Sequence, residues 1–350
     1  MKRSKGFSLI EMMVALVVML IVVAGTLTAL QEAMHTSEAI TKMADVQDNL
    51  RSGMNLMARD IVQAGSGIPI GGILIPYSGA GSPALNRPGP AGLQFPVQSA
   101  LTAITPGDVL GPVSLGIGTD VITVIYADNT LPWGSMPPIN NAANPTCAGV
   151  IALDGSSITF DTSASCAGTQ VVAGNTKLNP GDLVMLTSPQ GGNIIQTVTN
   201  VVGNEAFFAP GDAFGLNGVA ATSGTIAQLQ VGGVFPPISA KRIWMITYFI
   251  STANPQVPML MRQVNFNAPE EVGQVIEGLQ FSYDLTNPSV LPGVDERDIV
   301  APDTPNQIRK VNIYLAARSE YPYSVTNQYF RTNLLTQISM RSLTFENRYN

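Results

Sequence analysis

Apolar residues run almost without interruption from Phe7 to Leu30, then thin to every third or fourth position as far as Ile61. Only beyond that point do they settle into short alternating bursts. The first run, of about 24 residues, is long enough as a helix to cross the ~30 Å hydrocarbon core of a bilayer. Past the run, Leu27, Leu30, Met34, Ile40, Met43, Val46, Leu50, Met54, Met57 and Ile61 fall on one stripe of a helix, because steps of three and four dominate. No proline occurs before Pro69, so a single helix is expected from the start of the apolar run to Ala64, about 58 residues or ~87 Å. A helix of that length needs something to lie against. The stripe is expected to pack on the rest of the chain, leaving the membrane half free. An independent coiled coil is the other reading, which the drift from a strict heptad disfavours. Gly25 and Gly53 read as weak points, and Ala64-Gly65-Ser66-Gly67-Ile68-Pro69 as the stop.

The remainder is patterned for strands. Residues 65–118 are dense in Gly, Pro, Ser and Ala with almost no charge, which predicts a long irregular excursion over the surface. Its Gly65-Ser66-Gly67 and Gly71-Gly72 clusters follow a helix rather than a strand, so they read as turns and not as a phosphate loop. Strands are expected at 120–126, 183–186, 194–202, 243–250, 259–266, 279–285, 311–315 and 329–340, with a hairpin at 150–161 turning on Asp154-Gly155 and a turn at Asn254-Pro255. Pro269-Glu270-Glu271-Val272 has the acids and the early proline of a short helix start. The stretch 203–233 reads as loop. The fold class implied is α+β: a long N-terminal helix on a mainly antiparallel, β-rich body.

Composition narrows the chemistry. Charged residues are 12% of the chain while Gly and Pro number 33 and 25, which favours turns and strands over further helices. Three of the 18 cations, Lys2, Arg3 and Lys5, precede the apolar run; without them 15 would face 24 acids, a balance that offers no broad footprint for nucleic acid. The single histidine, His35, lies on the helix, so the body holds no His-dependent triad and no multi-histidine metal site. Asp295, Glu296 and Asp298 cluster in a Pro/Gly loop with Arg297 among them. This reads as a solvated turn rather than a carboxylate pair for glycoside hydrolysis, and the ligand spacing of an EF-hand is absent. No enzyme activity, cofactor or metal is expected. Cys147 and Cys166 flank the 150–161 hairpin almost symmetrically, and as thiols of an exported chain they are expected to close a disulfide at its base, worth roughly 2–4 kcal/mol.

The start of the chain carries the most specific pattern. Three cations hold the leading end of the apolar run in the cytoplasm, yet no small-residue cleavage site follows the run as in a secretory signal. Instead Gly6 stands before it and one acid, Glu11, inside it. Basic residues followed by Gly6-Phe7-Ser8-Leu9-Ile10-Glu11 and a long apolar run resemble the signal of type IV prepilins and type II secretion pseudopilins. The resemblance implies cleavage between Gly6 and Phe7 by a prepilin peptidase, methylation of the Phe7 amine, and Glu11 as the acid at the family's spacing. An acid in a membrane segment is costly and usually functional. The resemblance pairs it with the amino terminus of a neighbouring subunit, a buried pair that sets register more than stability. Met57 to Gly65 and residues 241–345 are similar to PilW-type minor pilins and J-type minor pseudopilins; across residues 66–240 the likeness is weak.

The organisation expected is a leader at 1–6, a membrane and filament-core helix at 7–30, its amphipathic continuation at 31–64, an irregular segment at 65–118, a β-rich insertion at 119–240 and a pilin-like sheet at 241–350. The function implied is a minor pilin taking part in initiation, assembly or the tip of a type IV pilus. It would be held in the inner membrane with its body in the periplasm, and later in the filament with the major pilin and other minor pilins. The alternatives are a type II secretion minor pseudopilin and a tip adhesin using residues 66–240.

Overall fold

A computed structural model describes residues 8–77, 84–114, 116–133, 149–160, 178–218, 222–286, 299 and 303–340. One helix, α1, spans Leu9–Gln63, 55 residues and about 82 Å. Thr26, Thr28, Thr36 and Thr41 each return their hydroxyls to backbone carbonyls one turn back, so Thr26 and Thr28 interrupt the apolar run, and Thr36 and Thr41 follow it, without leaving an unmet donor. The helix stops where expected. Gly65 takes a left-handed φ of 76°, and its N–H donates to the Ile125 carbonyl at 2.9 Å, which ties the helix end to the sheet.

The body follows as strands β1 (Ile122–Trp133), β2 (Gly149–Ile151), β3 (Ser157–Phe160), β4 (Leu183–Thr187), β5 (Asn193–Thr197), β6 (Asn200–Val202), β7 (Glu205–Phe207), β8 (Ser239–Ser251), β9 (Met259–Val264), β10 (Glu270–Gln274), β11 (Ile276–Leu285), β12 (Ile308–Arg318) and β13 (Arg331–Ser339). β8 organises them. Along one edge it pairs with β1; along the other it pairs with β4 through its first half and β9 through its second. β10 extends β9, and β5 extends β4. The sheet therefore runs without a break across residue 240. β11, β12 and β13 form a separate antiparallel sheet, and β6, β7, β3 and β2 a third.

The apolar positions read in β11 and β12 are buried, Leu279, Phe281 and Tyr283 on one strand and Val311, Ile313 and Leu315 on the other. Asp284 and Asn312 at alternate positions are buried too, Asn312 Nδ2 donating to Asp284 Oδ1 at 3.0 Å. The hairpin of β2 and β3 turns at Ala152–Gly155, with the Gly155 N–H closing on the Ala152 carbonyl and Asp154 accepting from both Ser156 N and Oγ. Asn254 Oδ1 likewise accepts from Gln256 N in the turn before β9.

Four expectations change. The helix expected from Pro269 is strand β10: Glu270 and Glu271 sit in register with Arg262 and Met261, and an open edge on β9 outweighs a local helix signal. The strand expected over 194–202 breaks between Thr197 and Asn200 into β5 and β6. The loop expected at 203–233 contains β7 and a 3-10 turn at Ile226–Leu229. The excursion at 65–118 is irregular, with two-residue strands at Ile73–Leu74, Ala100–Leu101, Ile104–Thr105, Val113–Ser114 and Ile117–Gly118. It is not confined to the surface, because Ile73, Ile75, Leu85, Phe95, Leu101 and Ile104 are buried. Single apolar residues spaced by Gly and Pro leave no period to read, yet each fills a core position.

Candidate functional site: the rod and its seat

The helix divides into two lengths. Every residue from Ser8 to Met34 is exposed, including fifteen large apolar side chains between Leu9 and Leu30. The most apolar eighteen-residue window of α1 has a mean hydropathy of 2.7, and none of it is buried by the body. At roughly 2 kcal/mol per large apolar side chain, leaving this length in water costs tens of kcal/mol. Lipid or other apolar helices must cover it.

From Val46 onward the same stripe is in the core. Val46, Leu50, Met54, Met57 and Ile61 pack with Leu260, Ile276, Leu279, Ile313 and Leu315. The packing reading of the stripe therefore holds for its C-terminal half, while Leu27, Leu30, Met34, Ile40 and Met43 stay exposed. Gly53 is not a weak point. A Cβ there would stand 2.8 Å from Leu260 Cδ2, so glycine lets the helix approach β9. At Gly25 a Cβ would meet nothing within 4 Å, which leaves that glycine without a packing reason.

A buried acid pins the seat. Asp60 is 1% exposed and lies on the stripe between Met57 and Ile61. Its Oδ2 accepts from Tyr248 Oη at 2.7 Å and from Arg262 Nε at 2.8 Å. Tyr248 and Arg262 are cross-strand neighbours on β8 and β9, so the sheet presents both donors together. Burial and then the Asp60 charge push the Tyr126 hydroxyl up to about 12. Burial, followed by the charge of Asp60 and its hydrogen bond, raises Tyr248 further still.

A tyrosine raised in the folded state contributes stability that is present below the ordinary value near 10 and is lost as pH rises through the folded value. Melting temperature is accordingly expected to fall steeply between about pH 10 and 12. Tyr248→Phe should flatten that fall when melts are followed by circular dichroism at half-unit intervals. An unchanged slope would remove Tyr248 from the linkage.

Between the free and seated lengths the loop joining β12 to β13 straps the helix. Lys42 Nζ donates to the Pro322 carbonyl at 2.7 Å, Ser324 Oγ to Glu38 Oε2 at 2.6 Å, and Tyr323 Oη approaches the His35 carbonyl at 3.4 Å. The Lys42 ammonium and then the Ser324 hydroxyl hold the Glu38 carboxyl below its ordinary range. His35 is half-buried, with its ring edge-on to Tyr323.

Of the residues singled out from sequence, Glu11 is described: it lies in the first turn of α1, exposed, and its Oε2 accepts from Ser8 N at 2.9 Å. Lys2, Arg3, Lys5, Gly6, Phe7, Cys147, Cys166, Asp295, Glu296 and Asp298 lie outside the described residues. Sequence reasoning missed Asp60, although an acid at stripe spacing between Met57 and Ile61 is a readable signal of a buried polar partner.

The Prokaryotic N-terminal methylation motif matches residues 1–27. No curated protein matches the chain, and no solved structure does. The motif implies processing by prepilin peptidase and assembly with other pilins. Together with an uncovered apolar rod seated on a β-rich body, it supports a prepilin-like protein, a type IV pilin or pseudopilin, with a helix fit to anchor it in a membrane.

Proposed function

We propose that this chain is a minor pilin, of the PilW type, that enters a type IV pilus through its rod and presents its body to other minor subunits. The carrying observation is the division of α1. One length is apolar all round and touches nothing in the body, and the next is locked to the sheet by a buried acid and a strap. Such a rod suits two successive solvents, lipid before assembly and sister helices after it. Lys2, Arg3 and Lys5 keep the leader cytoplasmic, so the body lies in the periplasm before extraction and on the cell surface afterwards. Prepilin peptidase cuts between Gly6 and Phe7 and the Phe7 amine is methylated. Glu11 pairs with the amine of a neighbouring Phe7, aligning rods at the same depth. The role is assembly rather than catalysis, without cofactor or nucleic acid.

Intact mass and amino-terminal analysis of the membrane-extracted protein is expected to give a chain beginning at N-methyl-Phe7. An untrimmed Met1, or cleavage beyond Leu30, would overturn the assignment. Deleting the gene is expected to reduce surface pili; loss of secreted enzymes with pili intact would instead indicate a type II secretion pseudopilin.

A further inference from the structure

Residues 65–118 carry two charged side chains, Arg87 and Asp108, and both line one cleft of about 540 Å³ beside β1 and β11. The volume is in the range of small-molecule sites. Arg87 is 2% exposed and has no carboxylate partner among the described residues. Its Nε donates to Thr123 Oγ1 at 2.8 Å, its Nη2 to the Thr105 and Val121 carbonyls at 2.7 and 3.3 Å, and its Nη1 to the Pro106 carbonyl at 2.9 Å. A guanidinium has five N–H groups, so one on Nη1 is left without a partner among the described residues.

That nitrogen lies against the wall of the cleft. Pro106 and Gly107 belong to the wall, and a Cβ on Gly107 would come within 3.1 Å of Nη1. The guanidinium also stands 5.8 Å from the centre of the Phe95 ring, a second wall residue. Burial lowers the group only to about 10, so it is a cation at neutral pH. A buried charge without a counter-charge is costly. A purely structural staple for the carbonyls of 105, 106 and 121 needs neither the open volume nor the spare donor.

We infer that this cleft binds a carboxylate-bearing carbohydrate, a sugar acid, with its carboxylate on Arg87 Nη1 and its ring against Phe95 and Tyr283. The free N–H offers a carboxylate one charge-assisted hydrogen bond, and the guanidinium supplies the opposite charge. Aromatic and proline walls suit the apolar face of a pyranose, and the exposed Asp108 and Gln94 at the rim accept from and donate to ring hydroxyls. This site is independent of the rod and its assembly role.

The test is calorimetric titration of the detergent-solubilised full chain with sodium glucuronate, with glucose and sodium acetate as separate arms. Glucuronate is expected to saturate with a Kd on the order of 1 mM, as for a ligand of this size, and glucose to give no saturable heat. Acetate should bind more weakly than glucuronate, since it offers no ring. Leu110 is 47% exposed in the wall, so Leu110→Trp obstructs the cleft without disturbing the core and should weaken glucuronate about tenfold or more. Arg87→Gln, checked for a retained melt, should abolish it. Equal heats for glucuronate and glucose, no saturation by roughly ten times the expected Kd, or unchanged binding in Leu110→Trp would each overturn the inference.

Discussion

Asp60→Ala is expected to cost about 3–5 kcal/mol, because it leaves the Arg262 guanidinium buried against the helix with its counter-charge gone. For a body of this size that lowers the melting temperature by roughly 10 °C. The size follows from the geometry: one carboxylate oxygen, Oδ2, receives both Tyr248 Oη and Arg262 Nε, so a single deletion strands two donors on the sheet. Asp60 Oδ1 is buried without a hydrogen bond, with the exposed Arg59 at 3.7 Å, so the network is incomplete even in the native protein. Replacing the set by apolar groups, Asp60→Leu with Tyr248→Phe and Arg262→Met, is accordingly expected to recover much of the loss. Asp45→Ala, on an exposed position of the same helix, should change stability by less than about 0.5 kcal/mol. Thermal melts of the detergent-solubilised variants decide the matter. A shift for Asp60→Ala no larger than that for Asp45→Ala would show that apolar packing alone seats the helix.

The rod was legible because composition and periodicity are local properties. A run such as Met12–Val23 must be covered by lipid or by other apolar surface whatever surrounds it. The seat was half legible. The stripe continues unchanged from Leu27 to Ile61, so nothing in its spacing marks Val46 as the point where the body begins to cover it. That boundary is set by where β10, β12 and β13 happen to reach. Gly53 shows the same limit: its propensity argues for weakness, but only the position of Leu260 reveals a close approach. The acids at Glu270 and Glu271 read as a helix start because propensity is read along the chain, whereas their competitor is the open edge of β9, the neighbouring strand, paired across a turn. Arg87 was passed over as a lone cation in an uncharged loop, since its meaning depends on carbonyls at 105, 106 and 121 gathering around it. The expected Cys147–Cys166 bridge falls outside the described residues.

Glu11→Gln is expected to insert in the membrane and lose its leader normally, yet to be recovered from sheared pili at about one tenth of the wild-type level or less. The structure sharpens what this substitution separates. In the isolated chain Glu11 already has a local task, accepting from Ser8 N at 2.9 Å in the first helical turn. Glutamine performs that task as well, since its side-chain oxygen serves the same position of a capping box, and loss of such a cap costs only about 1 kcal/mol. Glutamine does not carry the negative charge. In lipid the carboxylate lies one helical turn, about 6 Å, from the end of the rod, where it reaches headgroups and water. In the proposed filament, where rods would pack side by side without that water, the charge would need the Phe7 amine of a neighbour. A charge-assisted bond in that setting contributes about 1.5–3 kcal/mol, and a tenfold loss of incorporation corresponds to about 1.4 kcal/mol. Glu11→Asp keeps the charge on a shorter arm and should fall between the two. Quantifying each variant in membrane and pilus fractions of the same culture separates insertion from assembly. Wild-type incorporation of Glu11→Gln at equal membrane levels would mean that the acid serves only to cap the helix, and that some other contact sets the depth of the rods.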